Sequence, residues 1–144
     1  MKIYVIIFST LIYSISGFAE DEIPIKHKRI ECSSKDWPGR HNNHFLIISE
    51  NDKSAELTTI PWNEVKKFKA VVTKDIGYIY FKFEDDRDKE YWQLRRSDGK
   101  LEQFVSNLVI ERNCESFSKN LDPEKFLNSQ LKLRKENRIK ENKF

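Results

Sequence analysis

Short runs of alternating apolar and polar residues fill positions 27 to 114, and they constrain the fold more than any other feature. Side chains of a β-strand point alternately to opposite faces, whereas an amphipathic helix repeats every 3.6 residues. Helical periodicity is nearly absent from this region. The alternation therefore predicts strands near 27–33, 44–50, 54–60, 65–73, 77–84, 89–96 and 100–113.

Clusters of turn-forming residues separate these runs, for example Asn51-Asp52-Lys53 and Lys74-Asp75-Ile76-Gly77. The intervals are too short for the crossover helices that parallel strands need, so consecutive strands should pair antiparallel. The sequence predicts an all-β antiparallel meander of about seven strands, curved or barrel-like, with a short C-terminal α-helix. A bulge at Ser106-Asn107 is an alternative to one continuous last strand.

The alternation also assigns faces to three strands. The residues predicted to face the core are Phe68, Ala70, Val72, Ile79, Phe81, Phe83, Trp92 and Leu94. The opposite face of two neighbouring strands carries Tyr78, Tyr80, Lys82, Tyr91 and Arg95. Aromatic and cationic groups on one face can stack on sugars and pair with anions, so these five residues are the candidate binding site. The alternative is that they form ordinary cross-strand pairs on an exposed sheet.

The segment YWQLRRSDGKL, residues 91–101, is the clearest hairpin. Its loop, Ser97-Asp98-Gly99, suits a type I turn whose last residue takes a positive φ, which glycine does without strain. The hairpin resembles one in small exported bacterial proteins of unknown function, which carry a Y-x-L-x-R-x-x-G-x-L-like stretch followed by a cysteine. The matching residues here are Trp92, Leu94, Arg96, Gly99, Leu101 and Cys114. The resemblance implies export and an all-β fold, and it implies no catalytic residues.

The N-terminus has the layout of a cleavable secretory signal. Lys2 precedes an apolar stretch from Ile3 to Ile15, and Gly17 and Ala19 supply the small residues before a cleavage site. This stretch is shorter than the roughly 20 residues of a membrane-spanning helix. We therefore expect a signal peptide at 1–19, no transmembrane anchor after cleavage, and a secreted or periplasmic protein.

The exported chain would contain two cysteines, Cys32 and Cys114. In an oxidising compartment such a pair most simply forms one disulfide bond. Two free thiols and a redox pair are the alternatives, although the chain has no C-x-x-C motif.

The C-terminal region has a different character from the meander at 20–118. Asp122 and Pro123 form a helix start, because Asp caps well and Pro suits the first helical position. Leu121 can pack on Phe126 across this start. Residues 132–143 hold six basic and two acidic residues, so the segment 119–144 is predicted to be a helix with a basic, frayed tail.

Familiar catalytic and metal-binding patterns are missing from the sequence. His41 and His44 stand three apart, but no third ligand follows at a recognisable spacing, so we interpret them as surface residues of a loop, with His44 at the start of the next strand. The acidic run at 84–88 lacks the spacing and the glycine of a calcium loop, and a charged hairpin tip explains it. The motifs G-x-S-x-G and H-E-x-x-H are also absent. We expect no cofactor and no metal, and no catalytic residue can be assigned.

The predicted export and the small net charge limit the range of candidate functions and partners. Without Lys2 the chain carries 25 basic and 23 acidic residues, a balance that does not suggest a polyanion partner, and export argues against nucleic acid. The leading hypothesis is an exported, non-enzymatic binding or accessory protein, such as an envelope-associated inhibitor or adaptor. Its partner would be a protein, a glycan or an anionic lipid of the cell envelope. The alternatives are a small envelope hydrolase and a lipocalin-like carrier of an apolar ligand.

Cleavage after Ala19 gives the first prediction. Exported protein should begin at Glu20, because Gly17 and Ala19 stand three and one positions before the cut. Intact-mass analysis of the exported protein measures this directly. A mature protein that keeps Met1 would contradict the assignment.

Overall fold

The computed structural model describes residues 24–33, 43–84 and 90–141 of the chain. Within these ranges the chain forms eight strands and one helix. Each strand pairs antiparallel with the next, and the last strand pairs with the first, so the sheet closes into a barrel. This confirms the predicted all-β meander with a C-terminal helix. The elements are β1 (Arg29–Ser33), β2 (His44–Ile48), β3 (Ser54–Thr59), β4 (Lys66–Lys74), β5 (Tyr78–Phe83), β6 (Glu90–Arg95), β7 (Lys100–Val105), β8 (Leu108–Ser116) and α1 (Pro123–Glu141).

The described strands number eight rather than about seven because the predicted strand 100–113 is two strands. Ser106 and Asn107 form a tight turn between β7 and β8, and Val105 pairs with Leu108 across it. Ser106 has a φ of 54°, and two-residue hairpin turns need a positive φ. The predicted bulge is therefore a full reversal of the chain.

Closure of the barrel depends on the pairing of β1 with β8. Cys32 lies directly opposite Cys114 across this seam, and the two form a disulfide bond. This is the pairing that the two cysteines of the sequence predicted. With eight strands β1 and β8 run antiparallel, and closure of the sheet brings the two cysteines together.

Inward-facing residues fill the barrel, as an eight-stranded barrel allows. Of the eight residues predicted to face the core, seven are at most 7% exposed and Phe68 is partly buried against them. The face assignment is therefore confirmed. The same cluster also contains Ile25, Ile30, Cys32, Leu46, Ile48, Ala55, Leu57 and Leu101.

Gly99 adopts the positive φ that the hairpin sequence predicted, at 67°. The loop is one residue longer than expected, because β6 ends at Arg95 and Arg96 joins the turn. The Gly99 amide donates to the Arg95 carbonyl, and the Gly99 carbonyl accepts from the Cys114 amide at 3.0 Å. A Cβ at this position would lie 3.3 Å from the Cys114 carbonyl oxygen. The turn thus needs glycine for its conformation and for its close approach to β8.

Helix α1 begins with the predicted cap. Asp122 Oδ1 accepts the backbone amides of Glu124 at 3.0 Å and Lys125 at 3.3 Å, and Pro123 occupies the first helical position. The helix continues to Glu141, so the basic segment, predicted to fray, is helical up to that residue.

The helix packs on the outside of the barrel. Phe45 alternates with the inward-facing Leu46, so it points outward from β2 and meets the helix. The cluster between helix and barrel consists of Phe45, Ile60, Val65, Phe117, Leu121, Phe126, Leu127 and Leu131.

No helix in the described ranges is long and apolar enough to cross a membrane.

Residues 24–28, which we call the lead-in segment, cross the end of the barrel at which β1 begins. Ile25 is 4% exposed and joins the barrel core, and its amide donates to Asp52 Oδ2 at 3.0 Å. Lys28 and Lys74 form ion pairs with the same carboxylate, Lys74 at 2.6 Å. Asp52 is 8% exposed and has a φ of 59°. This one turn residue between β2 and β3 therefore fixes the lead-in segment to the barrel.

Replacing Asp52 by Asn should lower the free energy of unfolding by about 3 kcal/mol, because two partly buried lysines lose their anion. Asn tolerates a positive φ as Asp does, so the change isolates the charge. Urea unfolding measures the effect, and a double-mutant cycle with Lys28→Met isolates one of the two ion pairs. A loss below about 0.5 kcal/mol, typical of surface substitutions, would show that Asp52 does not hold the segment.

Candidate functional site

The five predicted site residues come together on the outer face of β5 and β6. The rings of Tyr78 and Tyr80 stack with their centroids 6.0 Å apart, and Tyr80 and Tyr91 lie 5.8 Å apart. The row continues onto β7, where Phe104 lies 5.5 Å from Tyr91. Alternation on neighbouring strands therefore builds a continuous aromatic ladder on the outside of the barrel.

Most polar groups of this ladder bind each other or nearby turn residues. The Tyr80 hydroxyl donates to Asp75 Oδ2 at 2.6 Å, and this bond raises the pKa of Tyr80 to about 12 and lowers the pKa of Asp75. Arg95 donates to Asp98 at 2.9 Å and pairs closely with Glu102. Hydrogen bonding, first of all to Tyr78, raises the pKa of Arg95.

Two of the five predicted site residues have exposed side chains. Lys82 is exposed, and Tyr91 is 46% exposed. The geometry so far fits the simpler alternative, in which these residues stabilise the sheet through cross-strand pairs. Ligand binding on this face stays a prediction.

A cavity of about 610 Å³ opens at the end of the barrel where the lead-in segment lies. Alternate turns of an antiparallel meander share one end, so the turns 75–77 and 96–99 meet the lead-in segment there. Core residues form the floor: Ile30, Ile79 and Leu94 are each at most 7% exposed. The cavity is also lined by Pro24, Ile25, Lys26, His27, Ile76, Arg95, Arg96, Gly99, Cys114, Glu115 and Ser116.

Arg96 fixes the walls of this cavity relative to one another. Its Nη1 donates to the Asp75 carbonyl at 3.0 Å, and its Nη2 donates to the Pro24 carbonyl at 3.2 Å. Its own amide donates to the Gly77 carbonyl at 2.9 Å. One side chain thus ties the lead-in segment and two turns together, which pre-forms the cavity.

The rim of the cavity is basic and carries one exposed apolar side chain. The residues lining it include three permanent cations, Lys26, Arg95 and Arg96, and one carboxylate, Glu115. Ile76 stands in the turn between β4 and β5 and is 69% exposed. An apolar floor below a charged rim is the usual composition of a small-molecule pocket.

Buried polar residues lie inside the barrel towards its opposite end. His44 begins β2, as predicted, but it is 8% exposed and faces inward with Leu46, so its interpretation as a surface residue is wrong. His41 lies outside the described residues. Its Nδ1 lies 2.7 Å from Thr59 Oγ1. Arg112 Nη1 donates to Gln103 Oε1 at 2.9 Å. These contacts explain how polar side chains are accommodated within the core.

Two smaller cavities lie beside the helix. One, of about 310 Å³, is lined by Glu56, Lys67 and Glu124, and the lysine pairs with both carboxylates at 3.5 and 3.2 Å. The other, of about 490 Å³, is lined mainly by polar side chains such as Asn128 and Lys132. Neither has the apolar floor of the barrel-end cavity. Among the residues that the structure describes, no group of three or more potential ligands could hold a metal ion.

Sequence reasoning missed the barrel-end cavity because its parts are far apart along the chain. The lead-in segment, the turn at 75–77 and the end of β8 come together around the cavity only when β1 pairs with β8. One local signal was available: Ile76 stands within the turn Lys74-Asp75-Ile76-Gly77, where polar residues and glycine are usual and a large apolar side chain is not. Comparison with protein-family models, curated proteins and solved structures finds no match.

Replacing Asp75 by Asn should lower the pKa of Tyr80 from about 12 towards the ordinary value near 10, because the charge that favours the neutral phenol is lost. Residues 20–144 contain three tyrosines, so phenolate absorbance against pH resolves the change. Tyr80→Phe identifies which step belongs to Tyr80. An unchanged titration in Asp75→Asn would contradict the hydrogen bond.

Proposed function

We propose that this chain is an exported, non-enzymatic binding protein that takes a small, partly apolar ligand at the barrel-end cavity. The observation that carries the proposal is the cavity itself, with Ile30, Ile79 and Leu94 as its floor. Burying apolar ligand surface contributes about 25 cal/mol per Å². The volume of about 610 Å³ lies within the range of small-molecule sites.

Pre-formed walls support binding at this position. The floor belongs to the packed core, and Arg96 and Asp52 hold the lead-in segment through the contacts described above. A ligand would therefore not need to order the site, and the cost of that ordering would not reduce its affinity. The disulfide and the signal-like N-terminus support export of the chain.

The related alternative, a carrier that encloses its ligand in the centre of the barrel, has less support. Trp92, Phe81 and Leu46 are each at most 1% exposed and fill that centre. The described interior is thus a packed core. A ligand would sit across the end of the barrel, between the turns.

A small hydrolase is also less well supported. His27 and Ser116 both line the cavity, but no hydrogen bond joins them in the described residues, and an activated nucleophile needs such a bond. Burial and the facing Glu115 raise the pKa of Glu31, as in many catalytic acids. However, Glu31 is not among the residues that line this cavity. Its carboxylate accepts Asn43 Nδ2 at 2.9 Å.

Binding can be tested with a neutral, environment-sensitive fluorophore, N-phenyl-1-naphthylamine, added to residues 20–144. We expect its emission to rise on binding, and we expect Ile76→Asp to weaken binding at least tenfold because it places a charge at the apolar rim. Ile76 is 69% exposed, so the fold should tolerate the change. Circular dichroism confirms that the variant is folded.

The matched control is Ile139→Asp, which makes the same change at a 63% exposed position on the helix. It should bind the fluorophore as the wild type does. No binding by the wild type, or equal weakening by both variants, would overturn the proposal.

A further inference from the structure

We propose that the ligand of the barrel-end cavity is a single-chain amphiphile with an anionic head group, and that Lys26 and His27 bind this head group. The inference rests on the proposed function, because it assigns the chemistry of the same cavity. It combines two observations at one place, an apolar floor and a basic rim.

The floor favours a hydrocarbon chain over a sugar or a peptide. Ile25, Ile30, Ile79 and Leu94 offer no side-chain hydrogen-bonding group. The backbone groups of the strands are committed to pairing, as where Ile79 lies opposite Leu94 between β5 and β6. A polar ligand would lose hydrogen bonds to water without replacing them, whereas a hydrocarbon chain has none to lose.

The basic side chains at the rim are of two kinds: two of them already bind other residues of the protein, and two can bind a ligand. Arg95 binds Asp98 and Glu102, and Arg96 binds the carbonyls of Asp75 and Pro24. Lys26 and His27 are exposed, and no hydrogen bond or ion pair joins either to another described residue. A lysine ammonium and an imidazole N–H can both donate to an anionic oxygen.

The charge balance selects the sign of the head group. Glu115, the one carboxylate among the described lining residues, alternates with the inward-facing Cys114 and so points to the outside of the seam, as Arg95 does on the outer face of β6. The permanent charges that remain at the cavity are the cations Lys26 and Arg96. A cationic head group would meet like charge, and a neutral one would gain little from the rim. A carboxylate and a phosphate monoester share the chemistry required, so both are candidate head groups.

The test compares amphiphiles of one chain length as competitors of bound N-phenyl-1-naphthylamine. Dodecanoate, dodecyl phosphate, dodecanol and dodecyltrimethylammonium are added below their aggregation limits to residues 20–144. We expect at least one of the two anions to compete about tenfold better than dodecanol, and the cation to compete least. The ratio between dodecanoate and dodecyl phosphate identifies the preferred anion.

Two charge-reversal variants locate the effect. Lys26→Glu should weaken competition by the two anions more than competition by dodecanol, and so remove most of the preference for anions. Lys140→Glu, with the same charge change on the exposed face of the helix, should retain the preference. Equal loss for anions and dodecanol in Lys26→Glu would mean that Lys26 supports the fold, and would overturn its assigned role.

The remaining outcomes separate this inference from the proposed function. If all four amphiphiles compete equally, the cavity binds apolar chains but the head-group assignment is wrong. If none competes and the fluorophore does not bind, both proposals fail. Vesicles that contain anionic lipid are the last sample. Binding to these vesicles without any binding of monomeric amphiphile would also overturn both proposals, because it would indicate adsorption to a surface.

Discussion

The pairing of β1 with β8 is the interaction on which the rest of this structure depends. It converts a meander with two free edges into a barrel, and closure removes the edges that invite aggregation. The Cys32–Cys114 disulfide spans 82 positions and joins the first strand to the last. In the chain-entropy model a loop of this length contributes roughly 4 to 5 kcal/mol by restricting the unfolded chain.

The same seam builds the candidate ligand site. Ile30 on β1 pairs with Ser116 on β8, and both residues line the barrel-end cavity. Gly99 joins the turn between β6 and β7 to Cys114 through the hydrogen bond between them. Opening the seam would therefore remove one wall of the cavity. Stability and the proposed binding function share one structural element.

The two ends of the barrel differ in chemistry. At one end the lead-in segment covers the core, with Asp52 binding two lysines and a backbone amide. Towards the other end the interior is polar, with His44 bonded to Thr59 and Arg112 to Gln103. The helix covers the outside of β2 and β3 through the cluster around Phe45. The apolar floor with an open side lies at the first end.

Local pattern predicted much of this fold from sequence. Alternation placed Ile79, Phe81 and Trp92 in the core, and the Asp122-Pro123 pair placed the helix start, because both signals depend on residues close in the chain. At Ser106 the sequence predicted at most a bulge, whereas the chain makes a full turn there, because serine indicates a positive φ less clearly than glycine does.

Long-range features were beyond the sequence pattern. Closure of the barrel and the presence of Lys26 and Ile76 around one cavity depend on which strands become neighbours at the seam. No local spacing encodes that choice. The aromatic ladder was predicted correctly as a shared face, but its internal bonding, such as Tyr80 to Asp75, required coordinates.

A methyl NMR titration with dodecyl phosphate tests most directly whether the ligand site lies at the end of the barrel, because isoleucine and leucine methyls occur both at the cavity and beneath the helix. We expect the signals of Ile30, Ile76, Ile79 and Leu94 to shift together with one dissociation constant. We expect no shift for Leu127 and Leu131 beneath the helix. Shifts confined to the helix methyls, or the absence of any shift, would contradict a ligand site at the end of the barrel.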